Sequence, residues 1–379
     1  MLNSENQTNT MEWRGFAYIG LWYLSIASGF LVLCCPMTPL MFACPQVFRY
    51  AIGVVHSAWE MYPTILMRLL FKTRFVVTGD LINPLDGALL IMNHRNRLDW
   101  NFLWAGMYYG TEPKAHKLKM VLKSAIRHVP FAGWVMQMSG FLYIRRRWDH
   151  DQSSMADQLE YFKNVNDTNQ ILLFPEGTDL SRGNVERSDK YAEQNGFPKY
   201  AHVLHPKTTG FVFLTDIMKK NKQIDAVYDL TIGYPDSIPQ NELDALCGVF
   251  PRNVHFHIKR YGVSELPKSA EGLKIWLMDV WRQKETRLAD FAATSSFVRD
   301  PTSVNDNNTP THNALYLAFL FWTLIEFIAV YGLVTSTLFR FWCLFCCVVF
   351  VGLSFVDDGF QMLEVKLYNY TRNPKKKPA

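Results

Sequence analysis

The sequence predicts an α/β domain, a central sheet flanked by helices, lying between membrane segments at the two ends of the chain. Three observations predict it. Uncharged apolar stretches are concentrated towards the ends of the 379 residues, whereas the middle alternates short apolar runs with helical stretches. Strands that alternate with helices favour a sheet covered by helices. The net charge is only +5, which argues against a nucleic-acid binder and fits an anionic membrane surface.

The N-terminal segment, residues 1–71, begins with a predicted transmembrane helix. Residues 15–42 carry no charged side chain, and that length can cross about 30 Å of hydrocarbon. Pro36 and Pro39 are expected to end the helix early, so the predicted span covers about residues 16–35.

The stretch from Gln46 to Phe71 is apolar but is interrupted by charged residues and by Pro63. Such a pattern suits helices that lie in the membrane interface. A buried helix packed on the central α/β domain is an equally good interpretation of the same residues.

Residues 72–299 are predicted to form the catalytic domain. Asn101–Tyr109 and Met155–Asn164 are typical of its helices. The predicted strands are short apolar runs bounded by turn residues: Arg74–Thr78, Ala88–Met92, Gly140–Ile144, Ile171–Phe174, Ala226–Ile232 and Val254–Arg260.

The chain continues with a polar linker, residues 300–312. Two apolar runs then predict a transmembrane hairpin over residues 313–356, and residues 357–379 form a basic tail. Two crossings would leave the domain and the tail on the same side of the membrane, whereas a single crossing would separate them.

A histidine and an aspartate follow the predicted strand Ala88–Met92. His94 and Asp99 are separated so that a turn can bring the carboxylate against one imidazole nitrogen. That contact would fix the tautomer and let the other nitrogen accept a proton from a hydroxyl group. The spacing alone is weak evidence, because a structural histidine explains it as well.

A second polar turn, Phe174–Thr178, follows another apolar run. Pro175 and Gly177 favour a tight turn that exposes Glu176 at the strand end. The two turns therefore predict one shared cleft, although they are also compatible with two ordinary strand-ending turns.

Basic residues form a third feature. Most of the lysines between Lys114 and Lys123 are interpreted as a solvated or headgroup-facing surface. Three arginines, Arg145–Arg147, directly follow a predicted strand and are better candidates for phosphate recognition.

Taken in order, these features resemble the four sequence blocks of the glycerolipid acyltransferases. The blocks contain His94…Asp99, Lys123 with Pro130 and Gly133, Phe174–Thr178, and Val203–Lys207. The segments Met92-Asn93-His94-Arg95, Glu176–Ser181 and His205–Phe211 are similar to the branch that includes lysocardiolipin acyltransferase. One departure is Asp179, because many members of the wider family carry Arg after the Gly-Thr pair.

The resemblance implies a role for each matching residue. His94 corresponds to the general base and Asp99 to the acid that orients it. The residues implied in substrate binding are Lys123, Arg146, Glu176, Gly177, Thr178 and Pro206.

The resemblance also implies an acyl-CoA-dependent O-acyltransferase that acts on an anionic lysophospholipid, such as lysocardiolipin, lysophosphatidylglycerol or lysophosphatidylinositol. An acceptor of the 1-acylglycerol-3-phosphate type is the alternative within the family, and a membrane scaffold that binds lipid is the non-enzyme alternative. A serine hydrolase is disfavoured because the sequence has no Gly-x-Ser-x-Gly motif.

Acyl-CoA is expected as a co-substrate, a lipid bilayer as a partner, and no cofactor or metal is expected. His255 and His257 share one face of a predicted strand, but the sequence places no third ligand. His205 is expected to make a structural hydrogen bond to the backbone.

The C-terminal sequence predicts a multi-pass protein of the endoplasmic reticulum membrane. Lys376 and Lys377 stand fourth and third from the carboxyl end, as in dilysine retrieval signals, although a basic tail can also bind lipid headgroups. Glycosylation at the Asn166 sequon would instead indicate a luminal catalytic domain.

Overall fold

The fold was analysed in a computed structural model that describes residues 12–111, 117–236, 238–297, 312–356 and 358–372. Within these residues the strands are β1 Arg74–Gly79, β2 Ala88–Met92, β3 Leu118–Lys123, β4 Leu142–Ile144, β5 Gln170–Leu173, β6 Ala226–Gly233 and β7 Asn253–Gly262. The helices are α1 Trp13–Gly29, α2 Cys35–Ala43, α3 Pro45–Phe71, α4 Asp99–Gly110, α5 Ala132–Met138, α6 Trp148–Asn164, α7 Arg182–Asn195, α8 Thr208–Asn221, α9 Glu242–Leu246, α10 Ala270–Thr294, α11 Asn313–Thr335, α12 Thr337–Leu353 and α13 Phe360–Arg372.

The strands form one mixed sheet in the order β1-β7-β6-β2-β5-β3-β4. Strands β2 to β6 run parallel to one another, whereas β7 is antiparallel to β6 and pairs in parallel with β1. The predicted α/β fold with a sheet flanked by helices is confirmed. The carboxyl ends of five parallel strands therefore meet at one edge, where α/β proteins bind their ligands.

The central strand β2 is buried on both faces. Leu90 and Met92 pack into one layer with α3, α4 and α11, whereas Leu89 and Ile91 pack into the other layer with α6, α8 and α10. All four side chains are fully buried. Because successive side chains of a strand point to opposite faces, an uninterrupted apolar run is what a two-sided core requires.

The first helix is longer than the sequence predicted. Helix α1 passes through a π-helical turn, Phe30–Cys34, directly into α2, and together they cover Trp13–Ala43. Neither Pro36 nor Pro39 ends the helix. Pro36 lies in the first turn of α2, directly after the π-helical turn, and Pro39 lies inside α2. This segment is one of two helices in the described chain that are long and apolar enough to cross a membrane.

Helix α3 is a single helix that packs on the catalytic domain. Its inner side chains, among them Tyr62 and Met67, are fully buried, and Pro63 lies inside the helix without ending it. For most of its length the buried-helix interpretation of residues 46–71 is therefore the one that the structure supports. The charged residues on the buried face of α3 are accommodated there because they have polar neighbours. Glu60, for example, lies 3.1 Å from His56.

Helices α11 and α12 meet at Ser336, whose side chain caps the second helix. Helix α11 is the other helix long enough to cross a membrane, whereas α12 has 17 residues and spans only about 25 Å. Large apolar side chains on both helices, including Leu320, Phe327 and Phe341, are exposed, as expected for contact with lipid. Most of the predicted linker lies outside the described residues.

Part of the predicted tail is an ordered helix. Helix α13 packs against α6 and α5, and Met362 and Val365 are buried in that contact. Glu364 on the same face makes a buried ion pair with Arg49 of α3. Residues 373–379, with Lys376 and Lys377, lie outside the described residues.

Candidate active site

Five polar residues, four of them singled out in the sequence, lie along one edge of the sheet. Each of the five parallel strands contributes a residue at or just beyond its carboxyl end: His94 from β2, Lys123 from β3, Arg146 from β4, Glu176 from β5 and Tyr234 from β6. The predicted shared cleft between the turns of His94 and Glu176 follows from the pairing of β2 with β5.

His94 and Asp99 are in direct contact. The Nδ1 atom of His94 lies 2.9 Å from Oδ2 of Asp99, the first residue of α4. The Asp99 side chain is fully buried, whereas 19% of the His94 side chain is exposed. The backbone N–H of Asn96 also donates to Oδ2, at 2.9 Å, which fixes the turn. The Nε2 atom of His94 is therefore the nitrogen left to accept a substrate proton.

Tyr234 adds a partner that the sequence did not predict. Its hydroxyl donates to Oδ1 of Asp99 at 2.6 Å, so both carboxylate oxygens are held. Burial, followed by the charge of Asp99, raises the pKa of the Tyr234 phenol well above its usual value, so it stays a donor. Its position directly after the strand predicted over Ala226–Ile232 was the signal that could have identified it.

Glu176 connects three parts of the site. Its Oε1 atom accepts from the backbone N–H of His94 and from the indole N–H of Trp281, each at 3.3 Å, and Oε2 accepts from the backbone N–H of Leu204 at 3.1 Å. Burial raises the pKa of Glu176 to about 8, although these donors and Lys284 act in the opposite direction. These contacts indicate a positioning role, whereas the family resemblance implied direct substrate contact.

A cavity of about 750 Å³ lies beside these turns. Its wall includes five of the six predicted substrate-binding residues, namely Arg146, Glu176, Gly177, Thr178 and Pro206. Lys123 is absent from the described wall and lies exposed at the end of β3. Phe174 belongs to the wall and also contacts the imidazole of His94, with ring centroids 4.4 Å apart. The cavity therefore adjoins the His94–Asp99 pair.

The three consecutive arginines have different environments. Arg146 is exposed at the cavity, and its guanidinium donates to the carbonyl oxygen of Gly177 at 3.1 Å. Arg145 makes an ion pair with Asp358 at 3.2 Å, on the segment that leads into α13. Among these arginines, only Arg146 is part of the cavity wall.

The conformation of the turn around Gly177 is fixed by its backbone angle and by side-chain hydrogen bonds. Gly177 has φ of +71°, which a residue with a side chain rarely adopts. The hydroxyl of Thr178 donates to the carboxylate of Asp179 at 3.2 Å and accepts from the amide of Asn184 at 2.9 Å. Asp179, which stands where many relatives carry Arg, thus interacts with its own turn.

Two other histidines, His205 and His257, contact neighbouring parts of the fold. Nε2 of His205 lies 3.0 Å from the carbonyl oxygen of Pro198, which confirms the predicted hydrogen bond to the backbone. His257 lies 3.1 Å from the hydroxyl of Thr78. Within the described residues, no group of three His, Cys, Asp or Glu side chains is arranged to hold a metal ion.

The chain is similar to known proteins over most of its length. Residues 74–232 match the family described as Acyltransferase, and residues 244–322 match the Acyltransferase C-terminus family. The chain is 35% identical to lysocardiolipin acyltransferase 1 of Danio rerio, over 94% of this chain and 96% of that protein. It is 40% identical to lysocardiolipin acyltransferase 1 of Mus musculus, over 74% of each chain. The crystal structure of the PlsC acyltransferase from Thermotoga maritima aligns with a TM-score of 0.46 and 16% identity, over 74% of this chain and 98% of that chain.

Proposed function

The chain belongs to the glycerolipid acyltransferase family, and from that premise we propose that it transfers an acyl chain from acyl-CoA to the free hydroxyl of an anionic lysophospholipid. Acyl transfer to a lysophospholipid, as in phospholipid remodelling, follows from its relatives. The acyl donor and the class of headgroup are the proposed part.

The observation that carries the proposal is the contact between His94 and Asp99. Nε2 of His94 removes the proton of the acceptor hydroxyl, and that oxygen attacks the carbonyl carbon of the thioester. The tetrahedral intermediate then expels the CoA thiolate, which takes the proton from His94. The thioester is already activated, so no covalent enzyme intermediate is needed. General-base assistance of this kind contributes about 10²–10⁴-fold to the rate.

An anionic headgroup is supported by charge at the cavity. Arg146 lies in the wall with its guanidinium exposed. A guanidinium binds phosphate oxygens through fixed, paired hydrogen bonds. Lysocardiolipin, lysophosphatidylglycerol and lysophosphatidylinositol each present a phosphate near a free hydroxyl, and 1-acylglycerol-3-phosphate is the alternative acceptor.

The test is a transfer assay on purified protein with labelled oleoyl-CoA and a panel of lysophospholipids. The panel contains the three proposed acceptors, 1-acylglycerol-3-phosphate and zwitterionic lysophosphatidylcholine. We expect acceptor-dependent product without free fatty acid, and higher kcat/KM for the anionic acceptors. Release of free fatty acid would indicate a hydrolase, and absence of product with every acceptor would favour a lipid-binding scaffold.

We further propose a multi-pass location in the endoplasmic reticulum membrane. The two long apolar helices support membrane insertion. The packing of α13 on α5 and α6 of the catalytic domain supports a return of the chain to the side of that domain after α12. An even number of crossings between the domain and α13 gives this return. The basic residues Lys376 and Lys377 support contact with an anionic membrane surface.

A further inference from the structure

We propose that Lys207, Arg187 and Arg146 form a phosphate-binding site in the cavity beside His94. The inference rests on the proposed function and deepens it, because it identifies which side chains recognise the phosphate ester of a substrate. Lys207 and Arg187 lie outside the substrate-binding set that the resemblance implied.

The three cations reach the cavity from separate elements. Arg146 follows β4, Arg187 lies on α7, and Lys207 directly precedes α8, and all three belong to the cavity wall. Two of them converge at Gly177: the guanidinium of Arg146 donates to its carbonyl oxygen, and a Cβ at this position would lie 3.4 Å from Nζ of Lys207.

Lys207 and Arg187 are held in place by neutral groups. The backbone N–H of Lys207 donates to the carbonyl oxygen of Pro175 at 2.8 Å, which ties the start of α8 to the turn after β5. The guanidinium of Arg187 donates to the carbonyl oxygen of Gly183 at 3.2 Å and to the side-chain oxygen of Asn184. The Arg187 contacts orient its guanidinium without neutralising it, and the Lys207 contact fixes the backbone that carries its ammonium group.

The acids in the wall do not balance this charge. Asp151 is buried, and its oxygens accept from the backbone N–H groups of Arg145 and Arg147 at 2.8 and 3.1 Å. Glu176 is buried, and both its oxygens accept hydrogen bonds from the protein. Across the part of the chain that the structure describes, Arg146, Arg187 and Lys207 form no ion pair with an acid. An anionic ligand would therefore meet uncompensated positive charge.

The start of α8 adds a second feature that suits an anion. Thr208, Thr209 and Gly210 form its first turn and lie in the cavity wall. No side chain caps this turn of the 14-residue helix. The first N–H groups of a helix lack partners within the helix, and the helix dipole favours negative charge there.

Asp179 does not contribute to the positive charge of the cavity wall. Many relatives carry Arg at this position, but here the carboxylate interacts with Thr178 and Asn184 and lies outside the cavity wall. Lys207 and Arg187 both lie in the cavity wall, so the cavity retains positive charge.

The test uses Lys207→Gln and Arg187→Gln in the full-length protein. Lys207→Arg retains the charge, and Lys190→Gln is the matched control, because Lys190 is exposed on α7 outside the cavity wall. Loss of one charge-assisted hydrogen bond corresponds to roughly a tenfold or larger change in affinity. We expect each Gln variant to raise the KM of one substrate about tenfold with kcat largely retained, Lys207→Arg to recover most of the loss seen in Lys207→Gln, and Lys190→Gln to remain within twofold of wild type.

The phosphate ester can come from either substrate, and the assay distinguishes the two. If it belongs to CoA, the KM of oleoyl-CoA rises, and oleoyl-3′-dephospho-CoA shows whether the 3′-phosphate is the bound group. If it belongs to the acceptor, the KM of lysophosphatidylglycerol rises. Unchanged KM values for both substrates in both Gln variants would overturn the inference.

A binding measurement separates this inference from the proposed function. Ligand binding to the folded state raises the thermal midpoint whether or not turnover occurs. CoA and lysophosphatidylglycerol are titrated separately against the purified wild-type protein and the Lys207→Gln variant. A smaller thermal shift in the variant supports the site even if acyl transfer is absent. Equal shifts, or none in wild type, would contradict it.

Discussion

Asp99 divides its two oxygens between different donors, and this arrangement makes Tyr234 a positioning residue. We predict that Tyr234→Phe lowers kcat/KM about three- to tenfold, which corresponds to the loss of one hydrogen bond. Without this donor, one oxygen of Asp99 is no longer held, so the carboxylate orients His94 less well. The loss should therefore appear in kcat, with the KM of both substrates retained.

The control for this prediction is Tyr261→Phe, on β7 away from the catalytic pair, which should leave kcat and KM unchanged. A Tyr234→Phe enzyme whose thermal midpoint falls together with its activity would point to a structural role. Full activity would show that the hydrogen bond contributes nothing to the reaction.

His94 gives the most direct prediction. His94→Ala should reduce kcat by about 10²–10⁴-fold, because the general base is lost while the substrate contacts in the cavity remain. Acyl transfer and the thermal midpoint should be measured on the same preparation, with His202→Ala as the control. Near wild-type turnover in a folded His94→Ala protein would disprove the mechanism.

The raised pKa of Glu176 predicts that the stability of the protein depends on pH. Its pKa is raised from 4.5 to about 8 by burial, so the folded state holds a proton that the unfolded state has already lost. The free energy of unfolding should therefore fall as the pH rises from about 4.5 to 8, and this contribution should be constant above that range. In Glu176→Gln, which cannot ionise, this part of the dependence should be absent.

Thermal midpoints in detergent between pH 5.5 and 8.5 measure this effect. The control is Glu186→Gln, because Glu186 is exposed on α7. Parallel pH dependence in wild type and Glu176→Gln would show that Glu176 does not titrate in this range.

Contacts between residues that are close in the sequence could be predicted, whereas contacts between distant residues could not. His94 and Asp99 are five positions apart and meet within one turn, so their spacing was informative. Tyr234 is 135 positions from Asp99, and Trp281 is 105 positions from Glu176. Such contacts depend on how the sheet and α10 come together, and local spacing does not encode that.

At the scale of elements, apolar runs predicted strands well where a strand is buried on both faces. Strands β2 and β5 were identified in this way, but β3 was interpreted as part of a basic surface. The reason is Lys119, which is buried beside Asp167 at 3.3 Å and donates to the carbonyl oxygen of Ser139 at 3.0 Å. A paired lysine can occupy a core position that the pattern assigns to an apolar residue.

Helix α13 was missed for the same reason, because Glu364 lies on its buried face. We predict that Glu364→Ala destabilises the protein by about 3–5 kcal/mol, since Arg49 would remain buried without its partner. Tyr161 would also lose the carboxylate to which it donates. Denaturant unfolding measures the change, and faster proteolysis of the C-terminal segment should accompany it.

Lys366→Ala is the matched control on the same helix, because Lys366 is largely exposed. Its effect should stay below about 1 kcal/mol, as for other surface ion pairs. Similar stabilities for Glu364→Ala and Lys366→Ala would show that the buried pair does not hold α13 in place.

For the whole molecule, the packing of α13 on α6 brings two glycosylation sequons, at Asn166 and Asn369, to the same part of the fold. Asn166 lies exposed just after α6, and Asn369 lies on α13, where the neighbouring Tyr368 contacts the carbonyl oxygen of Asn164 at 3.4 Å. We predict a cytosolic catalytic domain, so neither asparagine should carry a glycan.

Endoglycosidase treatment should leave the electrophoretic mobility unchanged, and external protease should digest the domain in sealed microsomes without detergent. A luminal marker protein should stay protected in the same sample. A glycan on Asn166 or Asn369 would place the domain in the lumen.

The Arg49–Glu364 pair also has a consequence during synthesis. Its partners are 315 positions apart, so at 5–20 residues per second the ribosome makes Arg49 about 15 to 60 seconds before Glu364. During that interval the nascent chain gains its sheet, but the Arg49 guanidinium lacks the Glu364 carboxylate. A newly made catalytic domain should therefore remain sensitive to quality-control proteases until α13 is released from the ribosome, and premature termination just before α13 should shorten its lifetime in the cell.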